Sequence, residues 1–141
     1  MPQNDLHGTR THAALKQAFA QDAQAARLYT EFARLAELDG ARDLAATLRE
    51  VAETHAMLAG GHIDLLRRVG DPLLNGPLEG AEQIRAAALR VVDMDGPDLR
   101  EAARTADAEG FFDAASWLES VARTRRHHTA RLSALPAPVR P

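Results

Sequence analysis

The chain repeats itself at a constant interval of 70 residues, and this repeat limits the fold more than any other feature. Residues 40–54 match residues 110–124, with glycine, aspartate, alanine, leucine, valine and threonine coinciding at the same offset. A constant offset that includes paired glycines and paired aspartates is not expected from chance similarity between alanine-rich helices. The repeat therefore predicts two similar helical hairpins joined by a long crossover connection, which is one layout of a four-helix bundle.

Hydrophobic spacing predicts that the repeated segments are helices. The pattern is clearest over 41–69, where inward positions recur in steps of four and three. These positions are Leu44, Leu48, Val51, His55, Leu58, His62 and Leu65. Further helices are expected over 11–38, from about 80 to 109 and over 111–135, and the predicted class is all-α. Gly40 and Gly110 end helices as left-handed stops.

Three segments are predicted to interrupt or flank the helices. Residues 70–77 are rich in glycine and proline and form the connector. Gly96 and Pro97 are expected to kink or break the third helix, because proline removes a backbone donor. At 141 residues the chain is one domain by size: an N-terminal segment over 1–10, the bundle over 11–134, and a disordered tail over 135–141.

Composition excludes several classes of function. The formal net charge of -3 argues against a general nucleic-acid binder, which needs a positive face. The absence of cysteine excludes disulfides, cysteine-ligated zinc and iron–sulfur clusters. No apolar run approaches the roughly 20 residues of a membrane span. The N-terminal residues are polar and show no secretory signal, so we expect a cytoplasmic protein that does not bind membranes.

One stretch of the first helix resembles a known family. The motif reads Leu6-x-Gly8-Thr9-x-Thr11, then Leu15-x-x-Ala18-Phe19-Ala20-x-Asp22-x-Gln24-Ala25, then Tyr29-x-x-Phe32-Ala33. It is similar to the opening of rubrerythrins, and the resemblance extends over about 6–134. The resemblance implies a ferritin-like four-helix bundle, usually a homodimer, whose core holds two iron ions and reduces peroxide. Members commonly add a cysteine-ligated rubredoxin module, which we do not expect here because these 141 residues contain no cysteine.

Counting from the hairpin glycines carries the family's iron-ligand positions onto this chain. The ligand positions fall on Asp22, His55, Leu58, Val91, Met94, Arg125 and His128, and a tyrosine near the family site matches Tyr29. A di-iron centre requires about four carboxylates, with histidines completing the coordination. Of these positions Asp22 alone carries a carboxylate. Arg125 stays charged and repels metal ions, so the resemblance implies a di-iron site that is largely lost.

The first hypothesis is therefore a protein without a cofactor and without catalysis. Asp22 and Arg125 pair across the bundle, while His55, His128 and Tyr29 complete the hydrogen bonds that buried charges need. The protein is then a helical scaffold or binding module.

Two alternatives remain open. One is a remodelled mononuclear site in which Asp22, His55 and His128 bind a single zinc or iron ion, since two histidines and a carboxylate are a known ligand set. The other is that the family's peroxide-reducing oxidoreductase activity persists, with electrons from an external donor.

Overall fold

The computed structural model describes residues 6–67, 69–70, 78–92 and 97–136. Within these residues the regular structure is entirely helical, which confirms the all-α prediction. The helices are α1 (Arg10–Leu38), α2 (Arg42–Leu66), α3 (Ala81–Val92), α4 (Leu99–Ala108) and α5 (Phe112–Ala134). The chain divides into two compact units, Met1–Leu78 and Glu79–Pro141. The first unit contains α1 and α2, and the second contains α3, α4 and α5.

In the first unit, α1 and α2 pack against each other through small side chains. The buried residues of α2 recur at intervals of seven: Ala45, Ala52, Ala59 and Leu66. The predicted stripe is therefore displaced by one position, because Leu44, Leu58 and Leu65 are exposed. Alanine lets two helix backbones approach closely, and the leucines then lie beside the contact line instead of within it. The seven-residue interval is the repeat of a coiled-coil contact.

The two hairpin turns have the same backbone geometry, as the repeat predicts. Gly40 and Gly110 adopt φ values of 81° and 86°. In the first turn, the N–H groups of Gly40 and Ala41 bond to the carbonyls of Glu37 and Ala36 at 3.0 and 2.9 Å. In the second turn, equivalent bonds measure 3.0 and 2.7 Å. Both patterns are Schellman caps, which require a left-handed residue after the helix.

In the second unit, α4 and α5 form a hairpin, and α3 also packs on α5. Its buried positions Ala103, Ala106 and Ala115 lie 70 residues after Ala33, Ala36 and Ala45 of the first hairpin. The predicted third helix corresponds to two helices: α3 ends at Val92, and α4 begins at Leu99. Asp98 starts α4 by accepting hydrogen bonds from the N–H groups of Arg100 and Glu101.

Other helix limits differ from prediction by a few residues, and α2 ends at Leu66 instead of at residue 69. Residues 71–77 of the predicted connector, Met94, Gly96 and residues 137–141 of the predicted tail lie outside the described residues. No helix in the described part of the chain has the length and apolar character needed to cross a membrane.

Candidate functional site

One carboxylate of the first unit lies between two imidazoles. Asp22 on α1 places Oδ1 2.7 Å from His55 Nδ1 and Oδ2 2.8 Å from His62 Nε2. His55 and His62 are seven residues apart on α2, so they lie two turns apart on one helical face. The side chains of Asp22, His55 and His62 are 16%, 28% and 23% exposed. We call these three residues the Asp22 cluster.

The hydrogen bonds of the Asp22 cluster fix its charge and its proton positions. A charged carboxylate has acceptors and no donor, so Nδ1 of His55 and Nε2 of His62 carry the hydrogens. The hydrogen bond from His55, followed by that from His62, holds the pKa of Asp22 below its ordinary value of 3.8, although burial acts in the opposite direction. Asp22 is therefore charged at neutral pH, and each imidazole keeps its second nitrogen for another partner.

An aromatic ring covers one side of the cluster. Tyr29 lies two turns after Asp22 on α1, and its ring stacks on His55 with centroids 5.5 Å apart and planes inclined by 15°. Phe32 contacts Tyr29 edge to face at 6.1 Å. The stacking limits rotation of the His55 ring and so fixes the direction in which its second nitrogen points.

The structure thus brings together three of the predicted site residues: Asp22, His55 and Tyr29. Leu58 lies about one turn after His55 on α2, and its side chain is exposed. No group of three or more histidine, aspartate or glutamate side chains within the described ranges is arranged to hold a metal ion. Each oxygen of Asp22 instead faces a different imidazole.

The remaining predicted residues belong to the second unit or lie outside the description. Val91 on α3 is exposed. Arg125 and His128 on α5 are exposed as well. Arg125 lines a groove between α4 and α5, and His128 lines a separate groove of about 270 Å³ beside Leu132 and Leu135. Met94 is not among the described residues.

His62 is the cluster residue that sequence analysis does not include in the site. The sequence pattern does place it on the inner stripe of α2, in line with His55. The signal was the interval of seven residues between two histidines on that stripe, opposite an aspartate on α1. On α2 the family's ligand positions end at Leu58, so counting from the family could not identify His62.

Comparison with known proteins agrees with the resemblance in the first helix. No protein-family model matches the chain. The chain is 32% identical over 143 aligned positions to the rubrerythrin of Porphyromonas gingivalis (strain ATCC BAA-308 / W83). The alignment covers 95% of this chain and 70% of that protein. Similarity at this level over almost the whole chain shows common descent, and the chain therefore belongs to the rubrerythrin family.

Proposed function

We propose that this protein is a rubrerythrin-family member that has lost most of its di-iron site and acts as a non-catalytic helical binding module. The observation that carries the proposal is the Asp22 cluster. Both oxygens of Asp22 accept hydrogen bonds from imidazoles of the same hairpin. The carboxylate is thereby satisfied within the protein and needs no metal ion to neutralise or orient it.

The donors present do not fit a di-iron centre. Such a centre needs about four carboxylates around two iron ions. Of the described positions that the family resemblance marks as ligands, Asp22 is the one with a carboxylate. Position 55 offers an imidazole, Leu58 and Val91 offer apolar side chains, and Arg125 adds a permanent positive charge. These substitutions leave the positions poor in negative charge. Binding two iron ions requires negative charge.

A single metal ion is the second candidate, because the Asp22 cluster combines one carboxylate with two imidazoles. This set of ligands is known for zinc and for non-haem iron. In the cluster, however, the two histidines are separated by two helical turns and bond to different oxygens of Asp22. A metal ion would have to break both hydrogen bonds and draw the histidines together, or recruit His128 as sequence analysis suggests.

The metal content of the purified protein tests the proposal directly. After expression in medium supplemented with iron and zinc, we expect less than one metal ion per ten chains by plasma mass spectrometry. We also expect no oxidation of added ferrous iron by peroxide. Stoichiometric iron or manganese would refute the proposal. Stoichiometric zinc or iron that is lost in His55→Ala and His62→Ala, and retained in the exposed His127→Ala, would support the mononuclear site instead.

A variant with restored ligands is the positive control. It combines His55→Glu, Leu58→His, Val91→Glu and Arg125→Glu, and it keeps Asp22 and His128. On the family's counting this variant regains the carboxylates and histidines of a di-iron set. We expect it to take up iron under the conditions in which the native chain does not, with circular dichroism confirming that both proteins are helical.

We also propose that the protein is a homodimer. The family implies this state, and the exposed Phe111, Phe112 and Trp117 at the start of α5 supply apolar surface for it. Light scattering coupled to size-exclusion chromatography measures the mass. A protein that remains at the mass of one chain at micromolar concentration would contradict this part of the proposal.

A further inference from the structure

Four arginines line one groove between α4 and α5. Arg100 and Arg104 come from α4, and Arg123 and Arg126 come from α5. The groove has a volume of about 260 Å³, and Glu119 is the carboxylate among its lining residues. This concentration of positive charge occurs in a chain whose formal net charge is -3. We call these four residues the arginine groove.

Within the described residues, ion pairs balance only part of the positive charge of the arginine groove. Arg104 pairs with Glu101 at 2.7 Å, and Arg123 donates a hydrogen bond of 3.2 Å to the hydroxyl of Ser120. Arg100 and Arg126 form no ion pair with a carboxylate in the described part of the chain. Arginines three or four residues apart on a helix repel each other. The groove therefore offers guanidinium groups that an anion would stabilise.

The repeat shows that the hairpin fold does not require these arginines. The first-hairpin counterparts of Arg100, Arg123 and Arg126 are Thr30, Glu53 and Ala56. Arg104 has a counterpart of the same type in Arg34, which pairs with Glu31 just as Arg104 pairs with Glu101. Three cations are thus specific to the second hairpin, although the turn and the buried alanines are shared.

The arginines divide into two pairs along the groove. Arg100 and Arg126 also line an adjoining groove of about 770 Å³, whereas Arg104 and Arg123 line the smaller groove alone. The larger groove adds Arg125, the carboxylate of Asp98 and an apolar surface from Val92, Pro97, Leu99 and Ala130. A guanidinium group is a planar fork of N–H donors that can bind two oxygens of one phosphate group, so each of the two pairs supplies donors of the kind that a phosphate needs.

We propose that the arginine groove binds a small organic molecule that carries two or more phosphate groups. The phosphates occupy the two arginine pairs, and the body of the molecule lies in the adjoining groove. A volume of several hundred Å³ with a partly apolar wall suits a ligand of nucleotide size. The proposal does not depend on the Asp22 cluster, so it stands whether or not the first hairpin binds a metal ion.

Calorimetric titration of the full-length protein with inorganic pyrophosphate and with ADP tests the proposal. We expect one site per chain, with ADP binding more tightly than pyrophosphate and pyrophosphate more tightly than orthophosphate. The double variant Arg100→Gln with Arg126→Gln should weaken ADP binding at least tenfold, since each lost charged hydrogen bond is worth about that factor. Thermal unfolding of the native protein should shift upward with added ADP.

Arg34→Gln is the matched control for Arg104→Gln. Both substitutions remove an exposed arginine from the same position of the repeat and break the same pair with a glutamate three residues earlier. We expect Arg104→Gln to weaken ADP binding several-fold and Arg34→Gln to leave it unchanged. Equal effects of the two substitutions would refute the proposal, because binding would then follow overall charge.

Two further results would also overturn the proposal. One is the absence of measurable ADP and pyrophosphate binding at millimolar concentration. The other is tight binding of single-stranded oligonucleotides with no binding of mononucleotides, which would assign the groove to a polymer. Neither result changes the metal content of the protein, so failure here is distinguishable from failure of the proposed function.

Discussion

Replacing Gly40 by alanine should destabilise the first hairpin through the backbone alone. Gly40 adopts a φ of 81°, and a Cβ atom built on it meets no atom within 4 Å. No steric contact is therefore lost or forced. The cost is that of holding an L-residue in the left-handed region, about 1 kcal/mol. The Schellman hydrogen bonds of the turn require this conformation, so the residue cannot relax without losing them.

Gly60→Ala is the matched control and should have the opposite sign. Gly60 lies inside α2, and a Cβ atom there also meets nothing within 4 Å. Alanine is the better helix former because it loses less backbone entropy on folding, so the gain is about 0.5–1 kcal/mol. The same chemical change, made 20 residues apart in one hairpin, should therefore give two variants whose free energies of unfolding differ by about 2 kcal/mol.

Urea unfolding followed by far-ultraviolet circular dichroism measures both effects. Gly40→Ala should lower the midpoint and Gly60→Ala should raise it, with thermal midpoints moving by about 4 °C per kcal/mol. Gly110→Ala should lower the midpoint as Gly40→Ala does, because the φ of Gly110 (86°) is close to that of Gly40 and its turn forms the equivalent hydrogen bonds. A shift in the same direction for Gly40→Ala and Gly60→Ala would refute the reasoning.

Two further predictions concern the core and the Asp22 cluster. Leu66 is 1% exposed, so Leu66→Ala should lower the free energy of unfolding by about 2–5 kcal/mol in urea titrations. Leu38 is 74% exposed, and Leu38→Ala should cost under about 1 kcal/mol; similar losses would contradict the assigned core. The hydrogen bonds from His55 and His62 lower the pKa of Asp22 in the folded protein. The charged carboxylate therefore stabilises the fold at pH values above 3.8, the ordinary pKa, and this stabilisation is lost as the pH falls below 3.8 and through the lowered pKa. Thermal midpoints of native protein and Asp22→Asn should therefore converge from pH 5 to 2.5, whereas a difference that stays constant over this range would contradict the role of charge.

The helices and turns could be predicted because their signals are local. Gly40 and Gly110 each end a helix, and the 70-residue repeat predicts that the two turns have similar surroundings. The choice between Leu44 and Ala45 as the buried residue was not predictable in the same way. Adjacent helical positions differ by about 100°, so the hydrophobic pattern identifies a sector of the helix. Which residue in that sector meets α1 depends on how closely the two backbones approach.

The Asp22 cluster shows where counting along a sequence stops being sufficient. Asp22 and His55 were identified because both occupy positions that the family uses. His62 was omitted because its contact with Asp22 depends on the register of α1 against α2, which no single helix encodes. Two histidines seven residues apart on one face meet both oxygens of one carboxylate when that carboxylate lies level with the turns between them. The register is set by the packed alanines of the hairpin.

The offset of 70 also relates two of the positions whose chemistry differs from the family pattern. His55 in the first hairpin corresponds to Arg125 in the second, and the family resemblance assigns a glutamate to both. In the proposed function neither half retains the acid, but the replacements have different consequences. An imidazole at position 55 keeps Asp22 satisfied without a metal ion. A guanidinium at position 125 adds a charge that no described carboxylate pairs with, beside other unpaired arginines. A half-site that once attracted cations would then attract anions, so the metal and ADP titrations should give opposite answers on the same protein.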